Sequence, residues 1–214
     1  MAFDSVVVPL GAEASAVRRG WGGKPPGLVL VPAGAASADG IAGGMAGGTA
    51  LVLGLCGALD PAFHVGDVVV YDHIVAVDGE IVLDAELARR SAGALGGVRL
   101  VRAANAGHVV GSVEEKAELG RSTGAVVVDM EALSLARVLT ARGTRFVMVR
   151  VVSDDVWSDM PKLAGIYDAG GRLRPLSLAF ALLRNPARSL RFIANVRIAL
   201  NALRRASASL AGTV

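Results

Sequence analysis

The stretch V-V-V-D-M-E-A at residues 126–132 joins an apolar run to a segment with helical spacing. Three consecutive valines are typical of a strand that is buried on both faces. The junction therefore delivers Asp129 and Glu131 to the carboxyl end of a predicted strand, where the next helix begins. Either acidic residue alone would be an ordinary helix cap, because carboxylates are favoured at helix N-termini.

A second acidic group follows another apolar run in the same way. Ser153-Asp154-Asp155 comes directly after the predicted strand Phe146–Val152. In parallel sheets, functional loops gather at the carboxyl ends of the strands. Two such strand ends favour a paired acid site, with two independent caps as the alternative.

Short β-branched runs recur along the chain, with glycine punctuation and helix-like stretches between them. The predicted elements are strands Ser5–Pro9, Leu28–Val31, Ala50–Leu55, Asp67–Val77, Val98–Arg102, Ala125–Val128 and Phe146–Val152, and helices Ala12–Arg19, Ser112–Arg121 and Met130–Arg142. This alternation predicts an α/β fold with a twisted, mainly parallel sheet. Residues 33–49 have the position of a helix, but each interior glycine there costs about 1 kcal/mol relative to alanine.

Composition excludes several classes of function. Aromatic residues make up only 4% of the chain, which leaves few stacking platforms for single-stranded nucleic acid. All nineteen acidic residues lie at or before Asp168, and eight arginines follow it. A basic tail on an acidic body does not resemble a nucleic-acid-binding domain, whose working face should be basic. We therefore expect no nucleic-acid partner.

Motifs for metals and cofactors are not found. Cys56 is the single cysteine, which excludes an intrachain disulfide, and it is interpreted as a small buried residue. The histidines have no metal-ligand spacing and the lysines follow no phosphate-binding glycine loop: His64, His73, His108, Lys24, Lys116 and Lys162. We expect no metal and no cofactor. Without a signal peptide or a spanning segment, a cytoplasmic location is expected.

Three motifs in order resemble the nucleoside phosphorylase and nucleosidase superfamily, which includes purine nucleoside phosphorylases and methylthioadenosine/adenosylhomocysteine nucleosidases. They are L-G-L-C-G-A-L-D-P followed by V-G-D-V-V (residues 53–69), V-D-M-E-A (128–132) and V-R-V-V-S-D (149–154). The resemblance implies a single-domain three-layer α/β/α fold with a mixed, mainly parallel sheet over residues 1–170. Residues 171–214 would be a basic helical extension, and the protein would be a homodimer.

The resemblance also implies roles for individual residues. Glu131 corresponds to the carboxylate that binds the ribose hydroxyls, and Met130 to the side chain under the sugar. Asp154, supported by Ser153, corresponds to the acid that protonates purine N7, and Glu13 to the glutamate that activates water. Asp154 should then have a raised pKa while Glu131 stays ionised. An Asp rather than an Asn at position 154 favours adenine.

The first motif departs from the family pattern. Leu55 stands where the family has Ser or Thr, and Ala58 replaces the second of two paired glycines, whereas Gly57 is kept. We expect Leu55 and Gly57 to line the substrate site. The hydroxyl that would bind phosphate or position water is missing. Water is therefore favoured over inorganic phosphate as the co-substrate by a small margin.

The basic tail has an amphipathic pattern. On a helical wheel Leu190, Ile193, Val196, Leu200 and Leu203 fall on one side, and Arg188, Arg191, Asn195 and Arg205 lie largely opposite. Such a helix either packs on its own domain or a second subunit, or lies on the inner face of an anionic membrane as a peripheral contact.

The segment from Asp154 to Arg205 contains S-D-D, M-P-K-L-A-G, D-x-G-G-R and R-N-P-A-R-S-L, which resemble the hopanoid-associated branch of the superfamily. That resemblance implies release of adenine from a lipid-linked adenosine, adenosylhopane, to leave ribosylhopane. The alternatives are a methylthioadenosine/adenosylhomocysteine nucleosidase, a purine nucleoside phosphorylase, and a non-catalytic nucleoside-binding protein on the same fold.

Overall fold

A computed structural model describes residues 2–41, 45, 47–76, 79–157, 159 and 186–212. In these ranges the chain forms strands and helices in the order β1 (Ser5–Pro9), α1 (Ala12–Trp21), β2 (Val29–Val31), a 3₁₀ helix (Gly34–Ile41), β3 (Thr49–Ala58), β4 (Val68–Ala76), β5 (Gly79–Val82), α2 (Ala85–Ala94), β6 (Arg99–Asn105), α3 (Val113–Thr123), β7 (Val127–Asp129), α4 (Ala132–Ala141), β8 (Arg145–Asp154) and α5 (Pro186–Ala211).

The eight strands form one mixed sheet. β1 pairs in parallel with β2 and β3, β3 pairs in parallel with β8, and β6 pairs in parallel with β4 and β7. The antiparallel pairs are β3 with β7, β4 with β5 and β4 with β8. Parallel pairs predominate, as predicted, and the pairings β3–β8–β4–β6–β7–β3 close into a circuit.

Alternation along β8 explains the three layers. Phe146, Met148 and Val152 face one hydrophobic core, whereas Val147 and Val149 face the other. The first core lies under α4 and the 3₁₀ helix, and the second under α1, α2 and α5. Because successive strand residues point to opposite faces, one apolar strand serves both cores. The predicted α/β/α arrangement is confirmed.

Two elements were not predicted from the sequence. β5 follows the half-buried end of β4 as the second strand of an antiparallel pair. Helix α2 has an N-cap, because Asp84 accepts hydrogen bonds from the backbone N–H groups of Glu86 (3.1 Å) and Leu87 (3.0 Å). This cap, followed by an apolar stripe, is a signal that sequence inspection could have used.

The helical wheel for the tail was partly wrong. Leu203 is fully buried, but Leu190 is 70% exposed and Ile193 is 41% exposed. The buried face of α5 consists mainly of small residues, Ala199, Ala202, Ala206 and Ser207 among them. A Cβ on Gly20 of α1 would collide with the backbone of α5 at Arg204, so the two helices approach closely through small side chains.

The N-terminal end of α5 is less buried than its C-terminal half. The predicted boundary at 170/171 and the elements M-P-K-L-A-G and D-x-G-G-R lie outside the described residues. Among the described residues, no helix is long and apolar enough to cross a membrane.

Candidate active site

The site is built along the parallel pair β3 and β8. Gly54 is in register with Arg150, and Gly57 is in register with Asp154 after a bulge. Arg150 occupies an even position of β8, like Phe146 and Met148, so its side chain points to the face that carries α4 and the 3₁₀ helix. Asp154 follows the bulge, and its side chain lies against Gly57 and against Lys116 of α3. Asp154 is the last residue of β8, at the carboxyl edge where sites in α/β sheets form.

A buried ion pair forms the base of the site. Arg150 Nε donates to Asp129 Oδ2 at 2.7 Å, and the hydroxyl of Tyr71 donates to the same oxygen at 3.2 Å. Asp129 Oδ1 accepts from the backbone N–H groups of Glu131 (2.7 Å) and Ala132 (2.9 Å). Asp129 therefore caps the start of α4 and neutralises Arg150. Of the two acidic residues in the stretch 126–132, Asp129 has the structural role.

Glu13 lies over β3 from the first turn of α1. Its Oε1 accepts the backbone N–H of Leu55 at 2.9 Å. A Cβ on Gly54 would lie 3.1 Å from that carboxylate oxygen and 3.3 Å from the guanidinium of Arg150. Because Gly54 has no side chain, the Glu13 carboxyl group and the Arg150 guanidinium both fit against this position of β3. Burial raises the pKa of Glu13 to about 7, although the charge of Arg150 opposes the rise.

Glu131 and Met130 approach the 3₁₀ helix. The backbone N–H of Gly34 donates to Glu131 Oε1 at 2.6 Å, and Met130 Cε lies 3.7 Å from the Cβ position of Gly34. Burial and the neighbouring Asp129 raise the pKa of Glu131 to about 8. Burial therefore opposes the ionised Glu131 that the sequence predicts, and ionisation of Glu131 around a bound ribose stays a prediction.

Asp154 occupies the far end of the site. The hydroxyl of Ser153 donates to its Oδ1 at 2.9 Å. A Cβ on Gly57 would lie 2.9 Å from Asp154 Oδ2, so Gly57 provides the space that the carboxyl group fills. Burial raises the pKa of Asp154, and Lys116 lowers it through its charge and hydrogen bond, with a net rise above the ordinary value.

Lys116 is a site residue that sequence reasoning missed. It lies in α3, is fully buried, and its ammonium donates to Asp154 Oδ2 and, at 2.5 Å, to the backbone carbonyl of Asp155. A lysine is almost never fully buried unless it is paired. Its position inside an otherwise polar helix gave no sequence signal, because the partner is distant in the chain.

Leu55 and Gly57, which were predicted to line the substrate site, each adjoin one of the predicted carboxyl groups. Leu55 contributes its backbone N–H to Glu13, and Gly57 leaves space for Asp154. Cys56 is buried, and burial raises the pKa of its thiol, which makes it a poor nucleophile. The described residues contain no cluster of three or more His, Cys, Asp or Glu that could hold a metal ion.

The carboxyl groups divide the site into two ends. Glu13 lies at Gly54, and Asp154 lies at Gly57, three residues farther along β3. One end therefore offers an acid with a raised pKa. The other offers two carboxyl groups beside the Arg150 guanidinium, whose Nη2 is buried with no hydrogen-bond partner among the described residues.

Solved structures of similar fold come from bacteria and a plant. 5′-Methylthioadenosine/S-adenosyl homocysteine nucleosidase of Campylobacter jejuni is 14% identical, with 92% of this chain and 98% of that chain covered and a TM-score of 0.59. Futalosine hydrolase of Helicobacter pylori is 17% identical, with coverages of 90% and 96% and a TM-score of 0.58. 5′-Methylthioadenosine nucleosidase of Arabidopsis thaliana is 13% identical, with coverages of 100% and 94% and a TM-score of 0.60.

These identities establish similarity of fold. No curated protein matches the chain in sequence. The family model described as "Phosphorylase superfamily" matches residues 11–164, which include Glu13, Glu131 and Asp154. That match spans well over half of the chain. The protein belongs to the phosphorylase superfamily.

Proposed function

We propose that the protein cleaves the N-ribosidic bond of an adenosine derivative with water and releases adenine. The observation that carries the proposal is the division of the site into two ends. Asp154, with a raised pKa, lies at one end, and Glu13 and Glu131 lie beside Arg150 at the other. A nucleoside laid between them would place its base at Asp154 and its ribose at Glu131.

The proposed reaction breaks the bond between ribose C1′ and purine N9. The bonding electron pair enters the purine ring as Asp154 gives a proton to N7, because an unprotonated purine is a poor leaving group. C1′ acquires oxocarbenium character, as in glycoside hydrolysis. The oxygen of water adds to C1′, and Glu13 takes the proton that this water loses. Glu131 and Met130 hold the sugar.

Water is the proposed co-substrate rather than inorganic phosphate. Leu55 offers no side-chain hydroxyl, and its backbone N–H is already donated to Glu13. The free Arg150 Nη2 supplies one buried donor next to the Glu13 carboxylate. One donor and one acceptor suit a water molecule, whereas a phosphate dianion requires several donors. A rate that is independent of added phosphate is the expected result.

The pH dependence of the rate tests the role of Glu13. Because a general base acts only when it is deprotonated, kcat/KM should rise with pH through about 7, the pKa of Glu13. Replacing Glu13 by Gln should lower kcat/KM by about 10²-fold and remove this acidic limb. The measurement is adenine release between pH 5 and pH 9.

The control for this experiment is Glu114→Gln, which changes an acidic residue in the first turn of α3. It should leave both the rate and the acidic limb unchanged. An acidic limb that persists in Glu13→Gln would assign the titration to another group and remove Glu13 from the mechanism.

The substrate we propose carries a lipid on its 5′ side, with adenosylhopane as the specific candidate. The support comes from the outer face of α5. Leu190, Ile193 and Ile198 are large apolar side chains exposed on this helix. Four arginines of the helix have no ion-pair partner among the described residues: Arg191, Arg197, Arg204 and Arg205. A helix that exposes both apolar and cationic side chains suits an anionic membrane surface.

Two arginines of α1 extend the basic surface of α5. Arg18 and Arg19 are exposed in the last turn of α1, which packs against α5 at Gly20 and Arg204. The arginines of two crossing helices therefore concentrate positive charge at one place. Nucleic acid is a poorer match, because the exposed large side chains on α5 are aliphatic and offer no stacking platform.

Substrate preference tests the lipid assignment. Protein mixed with phosphatidylglycerol vesicles should release adenine faster from adenosylhopane than from methylthioadenosine. Replacing Arg191 and Arg197 together by Gln should weaken vesicle binding by about 30-fold, at about 1 kcal/mol per arginine. The same double variant should keep its rate on soluble methylthioadenosine.

The matched control is the double variant Arg89→Gln and Arg90→Gln, which removes two charges from α2 and should leave vesicle binding unchanged. Faster cleavage of methylthioadenosine than of adenosylhopane would favour the methylthioadenosine/adenosylhomocysteine nucleosidase alternative. Vesicle binding that is equal on neutral phosphatidylcholine would contradict the electrostatic contact.

A further inference from the structure

Lys116 is fully buried and forms two hydrogen bonds at the acid end of the site. One goes to Asp154 Oδ2 and the other to the backbone carbonyl of Asp155. The Ser153 hydroxyl lies on the other carboxylate oxygen. Asp154 is thus held from both sides, and its partner is an ionisable amine rather than a fixed cation.

This pairing poses a problem for the proposed function. An ammonium ion next to Asp154 favours the carboxylate form, but protonation of purine N7 requires a proton on that carboxyl group. An arginine in the same place would hold the carboxylate permanently ionised, because guanidinium does not release its proton in proteins. A lysine is different, because an ammonium, unlike a guanidinium, can pass a proton to a carboxylate that it hydrogen-bonds.

We propose that Lys116 is the proton source of the site and acts on the substrate through Asp154. This inference rests on the proposed function of Asp154 as the acid. The ammonium passes a proton to Asp154 Oδ2, which leaves a neutral amine beside a carboxylic acid. The carboxylic acid then passes its proton to N7 as the C1′–N9 bond breaks and its electron pair enters the base. Solvent returns a proton to the amine after the products leave.

The surroundings of Lys116 agree with this assignment. On the same helix as Lys116, the Glu115 carboxylate pairs with His108 Nε2 at 2.5 Å and accepts the backbone N–H of Gly111. Asp159 accepts the backbone N–H of Val113 and pairs with Arg188 at 3.1 Å. The Asp155 carboxylate accepts the backbone N–H of Trp157 at 3.0 Å. Among the described residues, Asp154 is therefore the carboxylate to which the ammonium donates, and the nearby Asp155 contributes its carbonyl oxygen.

The test compares Lys116→Met and Lys116→Arg with wild type for adenine release between pH 5.5 and pH 9.5. In wild type the alkaline limb belongs to the Lys116–Asp154 pair, since two coupled groups titrate together. In Lys116→Met, burial alone keeps Asp154 protonated at low pH, so the rate at pH 6 should stay within about threefold of wild type. Its alkaline limb should move to lower pH by at least about one unit.

Lys116→Arg should be the slower variant. It retains the cation and the ion pair, yet it holds Asp154 ionised and releases no proton, so its rate at pH 6 should fall by about 10²-fold or more. A purely structural role for Lys116 predicts the opposite order, with Arg close to wild type and Met impaired equally at every pH. That result, or a Met variant faster than wild type at every pH, would overturn the proposal.

Two controls separate this inference from the proposed function. Lys24→Met, at an exposed lysine, should reproduce the wild-type profile. Thermal unfolding of each variant confirms that it is folded at the assay temperature. If wild-type protein releases no adenine, the proposed function fails. If wild type is active and the order of the two variants is reversed, the role of Lys116 alone fails.

Discussion

Replacing Asp154 by Asn is expected to slow adenine release by about 10²–10⁴-fold, the range that general acid catalysis contributes. The amide has nearly the same shape as the carboxyl group, so the space above Gly57 stays filled. However, it has no acidic proton to give to N7, and the leaving base would depart as an anion. The loss should appear in kcat, measured with saturating substrate.

The exposed residue Asp39 provides the matched control for this substitution. Asp39→Asn should leave the rate unchanged. Because Asp154→Asn also leaves the buried Lys116 ammonium without its anion, the free energy of unfolding should be measured for both variants. An unchanged rate in a folded Asp154→Asn protein would remove the acid from the mechanism and favour a binding protein that lacks this chemistry.

The second large effect concerns stability. Replacing Arg150 by Met is expected to lower the free energy of unfolding by about 3–5 kcal/mol, because it leaves the buried Asp129 carboxylate unpaired. Urea unfolding at pH 7.5 measures the loss. The double variant Asp129→Asn and Arg150→Met removes the unpaired buried charge and should recover part of the lost free energy of unfolding.

The pH dependence identifies the cause of this loss. Burial raises the pKa of Asp129, but the charge of Arg150 and the Glu131 N–H outweigh it, so the pKa lies below its ordinary value. In wild type this carboxylate stabilises the fold above the pKa of an unfolded Asp, and the contribution is lost as pH falls through the lower folded pKa. Without Arg150 the folded pKa rises instead, so the penalty should be largest at pH 7.5 and smaller at pH 4.5.

The control for the ion pair is Arg145→Met. Arg145 pairs with Asp84 at 2.9 Å but is half exposed, so solvent screens the pair and its loss should change stability little. A loss of similar size in both variants would show that the buried pair has no special role.

How much of this site the sequence predicts depends on how far apart the interacting residues lie in the chain. The strand ends at Asp129 and Asp154 were visible because a buried strand of valines and a following polar residue form a local pattern. Glu13 was identified through family resemblance, and the structure places it on β3 through the Leu55 N–H. The predicted catalytic roles of these residues stay predictions until activity is measured.

Lys116 was missed for a physical reason. It lies between Glu115 and Ala117 on a helix that shows no unusual pattern, and only the fold brings it to Asp154. Likewise, the wheel for α5 assumed that large apolar residues mark the buried face. Close approach to α1 instead selected small residues such as Ala202 and Ser207, and it left Leu190 exposed. Periodicity gives no information about how near a partner helix lies.

The close contact between Gly20 and Arg204 also determines which parts of the chain unfold together. Helix α1 carries Glu13 in its first turn and rests on α5 in its last, where Ser207 Oγ donates to the carbonyl of Val17 at 3.1 Å. Local unfolding of α5 would therefore release α1 and move Glu13. We therefore expect the C-terminal helix and Glu13, the proposed water-activating residue, to unfold as one cooperative unit.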